Sequence, residues 1–221
     1  MQTLILPSLL AADFGKLESE ILRAENAGAD AIHLDIMDGV FVPNISFGPA
    51  IVKLCRETTK LPLNVHLMLA RPDFFIEPFA KAGATTIQIH AEASCNIRET
   101  LQQIRSYGIS PAIVLNPLTQ YTAAIPYLDL VDEVMYMTVF PGYGGQKFMT
   151  EPLPEISKLR EYANANGFEK LNIMVDGGVG RSTIAQCAQA GANAFVAGTA
   201  LFSQEDMGAE ISLFRQIIDQ Q

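Results

Sequence analysis

Two stretches of the sequence place polar side chains at alternate positions between aliphatic ones. They are HLDIM at residues 33–37 and NVHLM at residues 64–68. Because side chains alternate between the two faces of a strand, each stretch predicts a strand with one polar and one aliphatic face. The polar faces carry histidine and aspartate, which are side chains that bind metals and transfer protons.

A second aspartate, Asp176, ends another apolar run and is followed directly by Gly177 and Gly178. Taken singly, a strand histidine is typical of a hydrogen-bonded core group and a strand-end aspartate of a helix cap. Together, two histidines and two aspartates at one end of a sheet need charge compensation, because a buried unpaired carboxylate is costly. We therefore predict one divalent cation, with the ligands His33, Asp35, His66 and Asp176. Such a set suits Zn, Fe(II), Mn or Co, and the spacing does not choose among them.

The third histidine, His90, ends another apolar run and has Glu92 nearby. We interpret it either as a structural residue or as a partner of a metal ligand. Three methionines occupy positions predicted to face inward, and they serve either as core filler or as a lining around a reacting centre. They are Met37, Met68 and Met137.

Three glycine-containing segments each follow a predicted strand. They are PGYGGQ at 141–146, Gly177-Gly178, and Gly198-Thr199. Glycine lets backbone N–H groups approach an anion closely, and one such segment alone is typical of a turn. Three in succession predict a phosphate-binding site.

Five glycines follow helix-like stretches at nearly regular intervals, and each precedes a short apolar run. They are Gly28, Gly83, Gly108, Gly167 and Gly191. A repeating strand–helix unit accounts for this spacing, and eight units fill the chain. We predict strands near residues 4–9, 30–37, 63–69, 85–90, 111–115, 131–139, 171–176 and 194–198, with helices between them. This pattern favours one (β/α)₈ barrel (TIM barrel) domain over residues 1–221, with an open parallel sheet as the alternative.

Two helical stretches show the expected apolar spacing. The first contains Leu17, Ile21 and Leu22; the second has apolar residues at Met207, Ile211, Phe214 and Ile218.

Composition excludes several classes of protein. The 221 residues are 49% hydrophobic and 18% charged, which is unlike a disordered chain. A net charge of −9 argues against nucleic acid as a partner. No apolar run is long enough for a membrane span, and the first residues lack the basic region of a signal peptide. Three cysteines without a CxxC pattern indicate free thiols, so we expect a cytoplasmic protein.

The site residues suit one reaction class. Asp35 and Asp176 lie on strands from different sides of the predicted barrel, so they can flank a bound substrate. One carboxylate can remove a proton α to a carbonyl while the other returns a proton to the opposite face. A cation can stabilise the enediolate formed between these steps. The residues therefore predict two-base epimerisation of a ketose phosphate.

The sequence also resembles the ribulose-phosphate 3-epimerase family. Eight matching stretches run in order along almost the whole chain: PSLLAADF (7–14), HLDIMDGVFVPNISFGP (33–49), VHLML (65–69), IHAEAS (89–94), LNPLT (115–119), PGYGGQKF (141–148), VDGGV (175–179) and AGTALF (197–202). The resemblance implies a ribulose-phosphate-binding type of barrel. It also implies a metal-dependent isomerase of the pentose phosphate pathway that interconverts D-ribulose 5-phosphate and D-xylulose 5-phosphate. A cytoplasmic homo-oligomer, either a dimer or a hexamer, is the implied assembly.

The resemblance assigns roles to individual residues. Asp35 and Asp176 match the acid/base pair, and together with His33 and His66 they match the metal ligands. The substrate-contacting positions are Ser8, His66, Gly142, Tyr143, Gly144, Gly145, Gly177, Gly178, Gly198 and Thr199. The lining of the reaction centre matches Met37, Met68 and Met137.

One departure concerns the substrate. Phe140 stands where the family usually has asparagine, near the predicted mouth of the site. Enzymes resembling this family also act on other ketose phosphates, so a 3-epimerase of D-allulose 6-phosphate is an alternative function.

Two further alternatives belong to other classes. A phosphate-binding barrel lyase would carry a lysine where this chain has Met37. A non-catalytic sugar-phosphate sensor would have lost an acid/base residue or a ligand, whereas this chain keeps all of them.

Overall fold

The computed structural model of the protein describes residues 2–220. Its strands are β1 Leu4–Pro7, β2 Ile32–Met37, β3 Leu63–Met68, β4 Thr86–His90, β5 Ser110–Leu115, β6 Glu133–Met137, β7 Asn172–Asp176 and β8 Ala194–Ala197. Neighbouring strands pair in parallel in the order β1-β8-β7-β6-β5-β4-β3-β2. A parallel bridge between Ser8 and His33 joins the end of β1 to the beginning of β2. The predicted single-domain (β/α)₈ barrel is confirmed, and each strand lies within two residues of its predicted bounds.

The α-helices follow the strands on the outside of the barrel. They are α1 Leu17–Asn26, α2 Pro49–Thr58, α3 Ile76–Ala82, α4 Ile97–Ser106, α5 Leu153–Ala165, α6 Ile184–Gln189, α7 Thr199–Phe202 and α8 Met207–Asp219. All five of the glycines that define the repeat have a positive φ, between 74° and 105°. The prediction that they turn the chain out of a helix is therefore supported, since glycine adopts this conformation without steric cost.

The connection from β5 to β6 differs from expectation. The repeat predicts a helix in every connection, but here the chain forms two short 3₁₀ turns, Tyr121–Ala123 and Ile125–Tyr127. Pro126 lies within the second turn, and proline has no N–H to donate inside a helix and clashes with the preceding turn. The segment therefore covers its side of the barrel without an α-helix.

The core has two layers, as the strand alternation predicts. Ile32, Leu34 and Ile36 of β2 pack outward in the layer between the sheet and the helices. Met135 and Met174 belong to a separate cluster inside the barrel. A parallel sheet covered on both faces is buried throughout, which explains the continuous apolar character of most strands.

The two helices predicted from apolar spacing are both present. In α1, Leu17 and Ile21 are buried, whereas Leu22 is 40% exposed. One turn of a helix advances 3.6 residues, and Leu22 therefore lies off the stripe that faces the barrel. In α8, Met207, Ile211 and Phe214 are buried and Ile218 is partly buried against the core.

Among residues 2–220, no helix combines the length and the apolar character that a membrane span requires.

Candidate active site and metal centre

Four side chains from three strands meet at the carboxyl-terminal end of the barrel. Asp35 Oδ1 lies 3.3 Å from His33 Nε2 and 3.0 Å from His66 Nδ1. Asp176 Oδ2 lies 3.9 Å from each of the same two nitrogens. Register explains the meeting, because Asp35 and His66 are paired positions of β2 and β3. The barrel closure then brings Asp176, the last residue of β7, to the same point.

The separations of these donor atoms suit a metal ion. One atom from each of the four residues lies within 4.8 Å of all the others. A tetrahedral ion with ligand bonds of about 2.1 Å holds its ligands about 3.4 Å apart. His33 Nε2 is buried and makes no hydrogen bond, although Asp35 Oδ1 is near. An unpartnered buried nitrogen that faces two carboxylates is the arrangement expected of a metal ligand.

The surroundings of the two carboxyl groups in this cluster shift their pKa values in opposite directions. Burial and the nearby charge of Asp35 raise the pKa of Asp176 to about 7. Burial also opposes ionisation of Asp35, but the nearby charge of His33 and the hydrogen bond from His66 hold the pKa of Asp35 well below its ordinary value. Near neutral pH, Asp35 is therefore ionised while Asp176 can hold a proton. Two carboxyl groups in different protonation states are suited to act as a base and an acid.

The three histidines also differ in the direction of their pKa shifts. Burial disfavours the charged form of His33, but Asp35 and Asp176 outweigh it and raise the pKa of His33 to about 9. Burial lowers the pKa of His66 to about 4, and it also lowers the pKa of His90. His66 and His90 are therefore neutral near pH 7. A metal ion that binds His33 must first displace its proton.

A neighbour orients three of the four proposed ligands. His33 Nδ1 lies 2.9 Å from Asn64 Oδ1, so a proton on Nδ1 leaves Nε2 directed at the carboxylates. Ser8 Oγ donates to Asp35 Oδ2 over 2.6 Å. His66 Nε2 lies 2.8 Å from His90 Nε2, on the side away from Asp35.

A cavity of about 340 Å³ opens directly above the two carboxylates. Asp35 and Asp176 line it from below. The predicted substrate-contacting residues that line it are Ser8, Gly142, Tyr143, Gly144, Gly145, Gly177, Gly178, Gly198 and Thr199. Met37, Met68 and Met137 line it as well. His33 and His66 are fully buried behind the carboxylates and do not line the cavity.

Two loops form the mouth of the cavity and are bonded to each other. Tyr143 Oη donates to the carbonyl of Pro43 over 2.8 Å, and Asn44 Nδ2 donates to the carbonyl of Gly142 over 2.8 Å. These bonds join the loop after β6 to the loop after β2. Phe140 is 52% exposed and is not among the residues that line the cavity.

Two hydroxyl residues hold the site in a way that the sequence did not predict. Thr138 Oγ1 donates to the carbonyls of Asp176 and Gly177, which fixes the end of β7. Ser46 Oγ donates to the carbonyl of Asp35 and accepts from the N–H of Met37. Serine and threonine are common in loops. Their role at the site is therefore visible only from the strand ends that they contact in the folded structure.

A model of the ribulose-phosphate 3-epimerase family matches residues 4–202. The chain belongs to this family. A ribulose-phosphate 3-epimerase of Bacillus subtilis (strain 168) is 46% identical over 211 residues, covering 96% of this chain and 97% of the relative. One from Synechocystis sp. is 45% identical and covers 94% of this chain and 91% of the relative. The predicted resemblance to ribulose-phosphate 3-epimerases is thus confirmed.

Solved structures show the same fold in more distant proteins. The structure of KGPDC from Streptococcus mutans has a TM-score of 0.69 and covers 100% of this chain and 99% of its own. Its sequence identity of 15% supports a shared barrel and nothing more specific. The enzymatic class of this family member rests instead on its near full-length relatives and on the His/Asp cluster.

Proposed function

We propose that this protein is a metal-dependent 3-epimerase that interconverts D-ribulose 5-phosphate and D-xylulose 5-phosphate. The observation that carries the proposal is the pair of carboxylates, Asp35 and Asp176, which share one cation site and line one cavity. Family membership supports the reaction, since the curated relatives carry this name. The catalytic unit is the whole barrel, residues 1–221.

The two carboxylates supply the proton transfers. In one direction, ionised Asp35 removes the proton from carbon 3, which lies α to the ketone, and protonated Asp176 delivers a proton to the opposite face. The C–H bond that breaks and the one that forms are on the same carbon, so the configuration inverts and the composition is unchanged. In the reverse direction the roles exchange. Without a cation, the low pKa of Asp35 and the raised pKa of Asp176 already give the two carboxyl groups different protonation states.

His33, Asp35, His66 and Asp176 would hold one divalent cation, drawn from Zn, Fe(II), Mn and Co. When bound, the cation draws electron density from the ketone and offsets the negative charge that develops during proton removal. Ser8 keeps one oxygen of Asp35 in place through its 2.6 Å hydrogen bond.

The glycine loops are proposed to bind the phosphate. Gly177, Gly178 and Gly198 lie at the end of the cavity formed by β7 and β8. Among the described residues that line this cavity, none is an arginine or a lysine. An anion here therefore meets uncharged donors, among them the backbone N–H groups of the glycine loops, as in other phosphate sites of this barrel type. Met37, Met68 and Met137 would exclude water from the reacting carbon.

The test is an epimerase assay with metal-reconstituted protein on D-ribulose 5-phosphate, run beside D-allulose 6-phosphate. We expect turnover of the pentulose phosphate that is lost on chelation and restored by added metal. Turnover of the hexulose phosphate alone would contradict the proposed substrate while keeping the chemistry. No turnover of either compound would contradict the proposed function.

We also propose that the protein acts in the cytoplasm as a homo-oligomer. All three cysteines are free thiols, which suits a reducing compartment.

Three large apolar side chains are strongly exposed, which suits contact with another copy of the chain. They are Val40 (76%), Ile45 (76%) and Phe74 (67%). Light scattering coupled to size-exclusion chromatography tests this assembly, and a monomer at micromolar concentration would contradict it.

A further inference from the structure

A line of polar contacts leads from the metal cluster to the loop after β4. His66 Nε2 lies 2.8 Å from His90 Nε2, and His90 Nδ1 lies 3.3 Å from Glu92 Oε2. The other oxygen of Glu92 accepts hydrogen bonds from the N–H of Asn116, over 3.0 Å, and from Thr119 Oγ1. The line thus begins at a metal ligand and ends at a carboxylate outside the coordination sphere.

The number of protons in this line restricts how it can be arranged. Asp35, His66, His90 and Glu92 are separated by three gaps of 3.0, 2.8 and 3.3 Å. Each neutral imidazole carries one N–H, so the two imidazoles supply two protons for three contacts, and one contact has no proton. The 2.8 Å gap between the two histidines must hold a proton, since two nitrogen lone pairs repel each other at that distance. The second proton lies either between Asp35 and His66 or between His90 and Glu92.

Glu92 decides between these two positions when a cation is present. A carboxylate can only accept hydrogen bonds, and the neighbours that contact its far oxygen are both donors. Two donors on that oxygen favour the ionised carboxylate, which then accepts at its other oxygen as well. His90 Nδ1 therefore donates to Glu92, and His90 Nε2 accepts from His66. The remaining nitrogen, His66 Nδ1, is then free of a proton and faces Asp35.

We propose that Glu92, acting through His90, holds His66 in the tautomer that leaves Nδ1 free to bind the metal. Glu92 is thus a positioning residue for the metal site, although it belongs to a loop and touches none of the proposed ligands. The proposal rests on the proposed cation site at His33, Asp35, His66 and Asp176. The ring of Phe41 lies 4.6 Å from that of His90 at an angle of 48°, and both histidines of the line are fully buried.

The variant Glu92→Gln should reverse the direction of hydrogen-bond donation along this line, because glutamine has nearly the same shape as glutamate but can donate. The N–H of Asn116 is fixed in the backbone and needs an acceptor, so the amide oxygen of glutamine faces it. The amide NH₂ then faces His90 Nδ1 and donates to it. His90 must carry its proton on Nε2 and donate to His66, which in turn carries its proton on Nδ1. That proton occupies the position where the metal would bind.

The experiment measures zinc affinity by competition with a chromophoric chelator, in wild-type protein and in Glu92→Gln. We expect affinity to fall about 10–100-fold, the usual effect of losing a partner of a metal-binding histidine. Thr119→Val is the matched control, because it removes one donor to Glu92 but keeps the carboxylate. Zinc affinity in this control stays within about threefold of wild type.

Imidazole nitrogen NMR provides a second readout that does not depend on catalysis. The chain has three histidines, so each ring is resolved in a ¹⁵N-histidine-labelled sample. In zinc-loaded wild type we expect a protonated Nδ1 on His90 and a protonated Nε2 on His66. In metal-free Glu92→Gln we expect the opposite tautomer on both rings, with an intact spectrum of the fold.

Three outcomes overturn the proposal. Equal zinc affinity in wild type and Glu92→Gln would show that Glu92 does not position His66. An equal loss in Thr119→Val would show that the loop as a whole matters rather than the carboxylate. Failure of the folded wild type to bind zinc, cobalt, manganese or ferrous iron would overturn the metal site itself, and the role of Glu92 with it.

Discussion

At the scale of single residues, the site depends on two carboxyl groups made unequal by their surroundings. Asp35 contacts two imidazoles and the hydroxyl of Ser8, whereas Asp176 contacts the same imidazoles only at 3.9 Å. The closer partners stabilise the ionised form of Asp35, and the weaker ones leave Asp176 able to hold a proton. Identical side chains can thereby fill opposite roles in one step.

This inequality predicts a specific defect for each amide variant. Asn cannot take or give the proton, so Asp35→Asn and Asp176→Asn should each lower the epimerisation rate about 10²–10⁴-fold. In deuterium oxide, Asp176→Asn should still exchange the carbon-3 proton of one epimer through Asp35, without inversion. Mass spectrometry and NMR of recovered substrate check this, with metal content measured as the control. Continued inversion in either variant would contradict a two-base mechanism.

The cysteines yield a second residue-level prediction. Burial raises the pKa of Cys55 and of Cys187 to about 12, and it raises the pKa of Cys95 as well. The reactive thiolate is therefore scarce in the folded protein at pH 8 and increases only as the pH approaches the raised values. We expect iodoacetamide to modify Cys55 and Cys187 slowly, with partly buried Cys95 reacting first. Equal rates in native and denatured protein, measured by peptide mass spectrometry, would contradict this.

At the scale of elements, the loop after β7 must pass very close to the loop after β6. Gly177 has a φ of 119°, and a Cβ atom there would lie 2.8 Å from the backbone nitrogen of Val139. Gly167 also has a positive φ, 83°, but a Cβ atom there meets nothing within 4 Å. The two positions share the conformational requirement and differ only in the close approach.

Alanine at these two glycines should therefore have unequal effects. Gly167→Ala carries only the cost of an unfavourable backbone conformation, about 1 kcal/mol. Gly177→Ala adds a clash with the backbone, so we expect at least about 2–3 kcal/mol and a displaced Asp176 with reduced activity. Urea unfolding of both variants measures the difference. Similar stabilities would show that the loop shifts freely and that the close approach is not required.

The elements also show what the sequence could and could not predict. Strand positions and inward faces follow from period-two alternation and from glycine at the helix ends, which are local signals. The predicted β5–β6 helix is wrong because Pro126 favours a turn there over a continuous helix. The hydrogen bonds of Asn44 to Gly142 and of Thr138 to Gly177 could not be predicted, since they join loops 98 and 39 residues apart. Pairing of β6 with β7 brings Thr138 to Gly177, and the closed barrel brings Asn44 to Gly142.

At the scale of the whole molecule, the proposed cation connects strands that come from both halves of the chain. His33 and Asp35 lie in β2, His66 lies in β3 and Asp176 lies in β7. The unfolded chain has no such preformed set of ligands, so metal binding should favour the folded barrel. Without a cation, the two carboxylates repel each other, as the raised pKa of Asp176 indicates.

Removal of the metal should therefore lower thermal stability together with activity. A ligand that binds only the folded state, at a free concentration of about 1,000 times its Kd, adds about 4 kcal/mol to the free energy of unfolding. For a domain of this size, that corresponds to a decrease in Tm of roughly 8–16 °C on chelation. Calorimetry of zinc-loaded and chelator-treated protein measures it, and adding zinc back should restore the original Tm.

The double variant Asp35→Asn/Asp176→Asn is the control, because it removes both charged ligands and with them the dependence on zinc. An unchanged Tm in the wild type after complete metal removal would show that the barrel is held in place by its core alone, with the four ligands arranged in advance of binding.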